Sequence, residues 1–251
     1  MKHFSAQYFK YLTLFFTALF LFTGCASEQE KIENHLATGK AYLQEDENEK
    51  AKIEFMNAVK IDPKSIEGHQ LLAKTYSKLG DGKAMFTEYL RLEQLEPDNL
   101  ETLIKTAAIF FAAGETNKAE RRIDKILEKE PDNIPALYLH AGLLGKRKEP
   151  LEKIKAVYSK ILEIDPDQVN AHLIFSRFYA ADKEYEKAEE SIKKAMEIEP
   201  ENLAVHKALF SFYISRRDLE SAENVLKNLA EQKPDISQPQ IMLGNFYVTF
   251  R

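Results

Sequence analysis

A proline recurs along this chain at a nearly constant interval. Five intervals separate its six occurrences; four are 34 residues long and one is 35. The prolines are Pro63, Pro97, Pro131, Pro166, Pro200 and Pro234. A fixed period of this length is typical of an array in which one supersecondary unit is stacked on its neighbours. The period therefore favours a repeat array over a single globular core.

Each repeat contains two apolar stretches with helical spacing. In the first repeat they are Leu36, Gly39, Tyr42 and Leu43, followed by Ala51, Phe55, Ala58 and Val59. Intervals of three, four and seven residues place such side chains on one face of a helix. A proline lacks an N–H group and disfavours α geometry in the residue before it, so it ends the second helix. Each repeat is therefore predicted to be a pair of helices.

The fourth repeat is one residue longer than the others. If the extra residue lies between the two helices, Ala141 and Leu144 take the small and aromatic places of that repeat. The turn would then contain the longest basic run of the chain, Lys146-Arg147-Lys148. We consider two interpretations: a solvated, slightly lengthened turn, or a contact point for a partner or a lipid headgroup.

The recurring pattern resembles the tetratricopeptide repeat (TPR) family. It has a small residue, a tyrosine, an alanine, an aromatic residue, an alanine and a proline within 34 residues, over roughly residues 32–251. The resemblance implies an all-α solenoid of stacked antiparallel helix pairs, wound as a right-handed superhelix. It also implies six full repeats and the first helix of a seventh.

Histidines stand where this family usually has tryptophan in the first helix. They are His35, His69, His172 and His206, each 28 residues before a proline. A metal site needs several ligands that converge on one place. Because these histidines occur at most once per repeat, we interpret them as packing residues and predict no metal.

The seventh repeat lacks a second helix. Solenoids need a polar terminal cap for solubility, yet this segment contains Phe246, Tyr247, Val248 and Phe250. We expect either that the chain continues beyond Arg251 or that another chain covers this end.

The N-terminus has the features of a secretory signal. Residues 1–24 contain Lys2 and Lys10 and no acidic residue, and residues 11–22 form an apolar run. A run of this length is too short to span a bilayer, which takes roughly 20 residues. We therefore predict a signal peptide over residues 1–24, with a retained transmembrane anchor as the alternative.

The only cysteine follows this apolar run directly. The sequence Phe22-Thr23-Gly24-Cys25 resembles a bacterial lipobox, in which the cysteine becomes lipid-modified. The resemblance implies a membrane anchor at Cys25 and a short tether over residues 25–31. The absence of aspartate after the cysteine implies, by resemblance to such lipoproteins, the outer membrane facing the periplasm.

Composition narrows the class of function. The chain has 35 basic and 40 acidic residues, and an acidic protein is a poor match for nucleic acid, whose phosphates need a basic face. We find no Gly-rich phosphate loop, no Gly-x-Ser-x-Gly and no His-Glu-x-x-His motif. We therefore predict a protein that is not an enzyme and needs no cofactor.

The resemblance also indicates where a partner would bind. In TPR proteins the first helix of each repeat lines a concave surface, and the matching residues are Leu36, Lys40, Leu43, Lys74, Ile104, Phe111, Tyr138, Arg177, Lys207 and Ile214. The family's carboxylate clamp does not match here. Apolar and aromatic lining suits a hydrophobic helix or an extended segment. A second interpretation is that Ile104 and Phe111 pack against a neighbouring repeat.

Taken together, these features predict a lipid-anchored scaffold for protein or peptide partners in the bacterial envelope. The chain looks similar to TPR lipoproteins associated with exopolysaccharide and exosortase (PEP-CTERM) systems. Two alternatives are a pilotin-like lipoprotein of type IV pilus biogenesis and the N-terminal TPR part of a larger envelope enzyme. The partner and the oligomeric state stay open.

Overall fold

The computed structural model describes residues 27–232 and 237–250. Within these ranges every regular element is an α-helix, and there are thirteen. The predicted signal peptide, Cys25 and Pro234 lie outside the described residues. The helices are α1 (Glu28–Gln44), α2 (Asn48–Ile61), α3 (Ile66–Leu79), α4 (Gly82–Leu95), α5 (Leu100–Ala112), α6 (Thr116–Lys129), α7 (Ile134–Lys146), α8 (Leu151–Ile164), α9 (Val169–Ala181), α10 (Tyr185–Ile198), α11 (Leu203–Ser215), α12 (Leu219–Gln232) and α13 (Ser237–Phe250).

Odd-numbered helices are the first helices of the repeats, and even-numbered helices are the second. The first pair is antiparallel, because later residues of α1 contact earlier residues of α2. His35 Nδ1 lies 2.6 Å from Glu54 Oε2, whereas the Lys50 ammonium lies 5.4 Å from the ring centroid of Tyr42. The helix pair predicted from the two apolar stretches is therefore present.

The contacts divide the chain into two compact units, residues 1–106 and 107–251, with a boundary inside α5. In the first unit, the core around α1, α2 and α3 contains Ile32, Leu36, Ala51, Phe55, Ala58 and Leu72. The close approach of α1 and α2 depends on Gly39, since a Cβ atom there would lie 2.4 Å from the Phe55 ring. The predicted small position is therefore a packing requirement.

In the second unit the core is a series of clusters between consecutive helices. One cluster contains Leu137, Ile161 and Ala171, and another contains Ala222, Leu226 and Phe246. Each cluster takes side chains from neighbouring repeats, so each helix pair buries its apolar face against the next pair, as expected of repeat architectures.

Each turn between paired helices contains one residue with a positive φ. These residues are Asp46, Gly80, Gly114, Lys148, Lys183 and Arg217. The next N–H group donates to a carbonyl five residues earlier, as from Glu47 to Tyr42 at 2.9 Å and from Asp218 to Tyr213 at 3.0 Å. This is the Schellman arrangement, which satisfies carbonyl groups at a helix end.

The extra residue of the fourth repeat lies in its turn. Helix α8 begins three residues after Lys148, whereas the other second helices begin two residues after the corresponding residue. Ala141 is 2 % exposed, and the carbonyl of Leu144 accepts the N–H of Glu149 at 3.0 Å. Ala141 and Leu144 therefore occupy the small and aromatic places, as expected when the extra residue lies between the two helices.

None of the helices in the described part of the chain is both long enough and apolar enough to cross a membrane.

Candidate functional site

The main candidate site is a groove of about 700 Å³ in the second unit. Three first helices, α7, α9 and α11, supply most of its lining, and two second helices contribute one residue each. The lining residues are Tyr138, Tyr158, Asn170, Leu173, Ile174, Ser176, Arg177, Ala180, Ile192, Ala204, Lys207, Ala208, Ser211, Phe212 and Ser215. We call this site the first-helix groove.

The groove follows from the repeat register. Tyr138, Leu173 and Lys207 hold the same place in α7, α9 and α11, and Arg177 and Ser211 share another place in α9 and α11. Residues at equivalent places of stacked repeats line one surface. Small side chains such as Ala180 and Ala208 leave room between the larger ones.

One end of the groove has an aromatic wall. The rings of Tyr138 and Tyr158 meet edge to face, with centroids 5.9 Å apart, and the Tyr138 hydroxyl donates to Gln168 Oε1 at 3.3 Å. Burial raises the pKa of the Tyr138 hydroxyl above its usual value. This wall offers apolar ring surface with its hydroxyl already engaged.

Among the described lining residues of the groove, two are cationic and none is acidic. Arg177 is exposed and Lys207 is half-buried. Burial raises the pKa of the Tyr158 hydroxyl, and the positive charge of Arg177 works in the opposite direction. Arg177 therefore lies close enough to Tyr158 to act on it electrostatically.

Three of the ten predicted partner-binding residues come together in this groove: Tyr138, Arg177 and Lys207. Two of the lining residues that were not among the ten are Tyr158 and Ile192. Both come from second helices, where they hold the place that Phe55 has in the first repeat. Only the stacking of neighbouring repeats shows that their side chains also reach the groove.

The remaining predicted residues lie elsewhere. Leu36 is 7 % exposed and belongs to the core, so the prediction that it faces a partner is corrected. Leu43 is half-buried against the same core, and Ile214 packs against the cluster around Phe246. These three side chains are apolar because they pack within the array.

Two lysines of the first unit stay on the surface. Lys40 pairs with Glu67 at 2.5 Å, and Lys74 is exposed. Ile104 is half-buried in α5. None of the three lines the first-helix groove.

Phe111 packs against the neighbouring repeat. A Cβ atom at Gly142 would lie 2.8 Å from the Phe111 ring, and the Lys146 ammonium lies 4.0 Å from the centroid of that ring. The Lys146 ammonium also donates to the Phe111 carbonyl at 2.5 Å. Of the two interpretations of Phe111, packing against a neighbouring repeat is therefore the one that describes its position.

The basic turn of the fourth repeat contacts the third repeat. Besides Lys146, Arg147 holds Glu120 through Nη2 and Oε2 at 2.6 Å, and this hydrogen bond lowers the pKa of the Glu120 carboxyl. Two of the three basic residues in the turn are therefore engaged within the protein. Lys148, the third, is exposed and has a positive φ.

The histidines of the first helices hold the loops before them. The Nε2 atoms of His172 and His206 lie 2.8 Å and 2.7 Å from the carbonyl oxygens of Pro166 and Pro200. A carbonyl only accepts, so Nε2 carries the hydrogen in each case. Within the described ranges, no three His, Cys, Asp or Glu side chains are arranged to hold a metal ion.

A larger cavity of about 1020 Å³ lies between α8, α9 and α10, beside Phe175 and Tyr179. Its three lysines each pair with a nearby glutamate: Lys187 with Glu184, Lys193 with Glu189 and Lys194 with Glu197. Since these cations are already neutralised, the first-helix groove is the stronger candidate for a charged ligand.

Comparisons with known proteins agree with this fold. Residues 33–65 and 179–242 match family models described as tetratricopeptide repeat. The chain therefore contains TPR repeats, and its architecture is a TPR-type helical repeat fold. No curated protein matches the chain by sequence.

Several solved structures share the fold. The structure titled as the functional characterization of Pseudomonas aeruginosa pilF has 18 % identity and a TM-score of 0.62, covering 87 % of this chain and 99 % of that one. PilW, a "widely conserved type IV pilus biogenesis factor", has 16 % identity and a TM-score of 0.66, covering 84 % and 98 %. MamA from Desulfovibrio magneticus RS-1 has 18 % identity and a TM-score of 0.57, covering 69 % and 97 %.

Proposed function

We propose that this protein is a lipid-anchored, non-catalytic TPR scaffold that holds a segment of a partner protein in the first-helix groove. The observation that carries the proposal is the groove itself. Its floor is apolar, its wall is aromatic, and its two cations have no hydrogen-bond or ion-pair partner among the described residues. Such lining suits recognition of a protein segment, in which apolar side chains fill pockets and a few polar groups fix the register.

The proposed location is the bacterial envelope, on the periplasmic side of the outer membrane. Cys25 would carry the lipid. Because α1 already begins at Glu28, inside the tether predicted over residues 25–31, the repeats would lie close to the membrane surface. The support is the sequence of residues 1–25, with its charged start, its apolar run and its single cysteine. Two or more acyl chains give stable attachment, whereas one chain holds only reversibly.

Type IV pilus biogenesis is the second candidate for the pathway in which this scaffold acts. The observation in its favour is that PilF and PilW align over nearly their whole lengths with most of this chain. Exopolysaccharide and exosortase systems are the first candidate, on the resemblance of the signal and the repeats. At 16–18 % identity the neighbours support the fold, and fold alone does not specify function.

Filling the groove tests the proposed binding site. Ser211 is exposed within the groove, so Ser211→Trp should block a bound segment without entering the core. We expect this variant to lose the crosslinks to a partner that the wild-type protein gives in intact cells. Asn228→Trp, at an exposed position of α12 outside the groove, is the matched control and should keep them. Crosslinks that survive in the Ser211→Trp protein would contradict the proposal.

Cys25→Ser tests the anchor. The variant should fail to incorporate radiolabelled palmitate and should move from the membrane fraction to the soluble fraction. Wild-type labelling or wild-type membrane association in this variant would exclude lipidation at Cys25.

Deletion of the gene separates the two pathways. Loss of surface pili with normal polysaccharide would favour pilus biogenesis, and the reverse result would favour the exopolysaccharide system. Complementation with the Ser211→Trp variant then tells whether the phenotype depends on the groove.

A further inference from the structure

We infer that the first-helix groove selects a segment in which an aspartate or glutamate side chain lies next to an apolar side chain. Arg177 and Lys207 would hold the carboxylate, and the apolar side chain would lie on the floor formed by Leu173, Ile192 and Phe212. The inference rests on the proposed function, because it specifies the ligand of the same groove.

Among the described residues, the two cations of the groove have no partner. Arg177 and Lys207 form no ion pair, hydrogen bond or ring contact with a described residue. Many lysines in the same unit are paired across or along helices, such as Lys155 with Asp182 at 2.7 Å and Lys160 with Asp132 at 3.0 Å. The protein has a formal charge of −5. Two unpaired cations in one groove therefore differ from the paired lysines elsewhere in this acidic protein.

The described acidic side chains near the groove do not pair with these two cations. In the part of the chain that the structure describes, the groove lining contains no aspartate or glutamate. Asp165 is the acid that acts on its tyrosine wall, where it raises the pKa of Tyr138 less than burial does. The Asp165 carboxylate already accepts from Gln168 Nε2 at 2.6 Å and from the Asp167 N–H at 3.0 Å. It is therefore committed to its own loop and does not neutralise Arg177 or Lys207.

The chemistry of the two cations indicates which ligand the groove would recognise. A guanidinium presents a planar set of donors that matches a carboxylate, and a lysine adds a mobile point charge. Concave sites lined by one sign of charge concentrate ligands of the opposite sign. The complementary ligand of this groove is therefore an anionic group.

The anionic group would lie within the bound segment and not at its end. A segment that crosses from α7 to α11 passes Tyr138 first, Arg177 next, and then Lys207 and Phe212. Lining residues thus lie on both sides of Arg177. A chain terminus bound at Arg177 would leave one side of the groove unfilled, whereas an internal acidic side chain would not.

The test is selection from a library of N-acetylated, C-amidated random dodecapeptides on the immobilised protein. We expect aspartate and glutamate beside an apolar residue to be enriched, and the best peptide to bind about tenfold more tightly than its Glu→Gln version. Added salt should reduce that difference, because exposed charges are screened.

The Arg177→Gln/Lys207→Gln variant should lose the preference for acidic peptides while keeping the affinity of the neutral version. The control variant Lys105→Gln/Arg121→Gln removes the same charge from exposed positions outside the groove and should behave as wild type.

The other outcomes separate the inference from the proposed function. Selection of neutral or basic peptides, or an acidic preference that survives in Arg177→Gln/Lys207→Gln, overturns the inference and leaves groove binding intact. Binding that occurs only with a matched library of peptides with free C-terminal carboxylates also overturns it, in favour of a chain terminus. If no peptide binds wild type better than the Ser211→Trp variant, groove binding fails, and the inference fails with it.

Discussion

At the scale of single residues, a carboxylate near the start of a second helix ties neighbouring repeats together. Tyr213 donates to Glu189 at 2.7 Å, and Tyr247 donates to Glu223 at 2.8 Å. In the fourth repeat a leucine replaces the tyrosine, and Arg147 binds Glu120 instead. Sequence alone indicates no special role for Glu120 or Glu189, because their partners lie 24 or more residues away.

The first prediction concerns the Tyr213 hydroxyl. Tyr213→Phe removes a hydrogen bond to a charged acceptor, so we expect a loss of about 1 kcal/mol in the free energy of unfolding. Tyr179 holds the same place in the preceding repeat, and its hydroxyl has no hydrogen-bond partner among the described residues. Tyr179→Phe should therefore stay within about 0.5 kcal/mol of wild type. Equal effects of the two substitutions in urea unfolding would show that the hydrogen bond contributes nothing.

The same tyrosine gives an alkaline dependence. Burial, and next the hydrogen bond to Glu189, raise the pKa of Tyr213 to about 12 from 10.0. Because the pKa is higher in the folded state, the stabilisation is complete below about pH 10 and is lost as pH rises toward about 12. The stability difference between wild type and Tyr213→Phe should shrink over that window.

At the scale of helices, the small place in each first helix decides how closely its partner helix packs. Gly39 has the Phe55 ring directly over it, whereas Gly244, at the same place in α13, has nothing within 4 Å of a Cβ atom. The two glycines therefore have different environments. In the described residues no second helix packs on the Gly244 face of α13.

The second prediction compares these two glycines. Gly39→Ala forces the fully buried Phe55 ring to move, and overpacking a core costs about 1–3 kcal/mol, which outweighs the better helix propensity of alanine. Gly244→Ala meets no such obstacle and should leave stability unchanged or raise it by up to about 1 kcal/mol. Thermal unfolding of both variants measures the difference. A stable Gly39→Ala protein would mean that α1 and α2 can separate at little cost.

At the scale of the whole molecule, cohesion is local. Within each unit the extensive contacts join helices that follow one another in the chain. In an array of this kind, stability is approximately a sum of repeat terms and nearest-neighbour interface terms. A defect in one repeat should therefore weaken that repeat and its neighbours most.

The third prediction follows from this locality. Phe55 is fully buried, so Phe55→Ala should cost about 3–5 kcal/mol in the first repeats. Hydrogen exchange should accelerate most over residues 28–79 and least over residues 185–232. Met56→Ala, at the adjacent position with 47 % exposure, is the control and should leave exchange unchanged. Uniform acceleration along the chain would instead show that the repeats unfold as one cooperative unit.

Sequence alone determined the repeats, the helix pairs, their turns and three residues of the groove, Tyr138, Arg177 and Lys207. Those features follow from spacing within about one repeat, where helix periodicity, proline and small residues act locally. The anchor at Cys25 stays a prediction from the sequence.

Only the tertiary structure decided which of the remaining candidates pack inside the array and which cations stay unpaired. Leu36 and Phe111 have the apolar character expected of a binding surface, but one is in the core and the other packs over Gly142. Arg147 and Arg177 are both arginines of the second unit, yet Glu120 pairs with the first, and no acidic side chain in residues 27–232 or 237–250 pairs with the second. The reason is physical: burial and ion pairing depend on side chains from different helices meeting in space, and a period of 34 residues does not specify which ones meet.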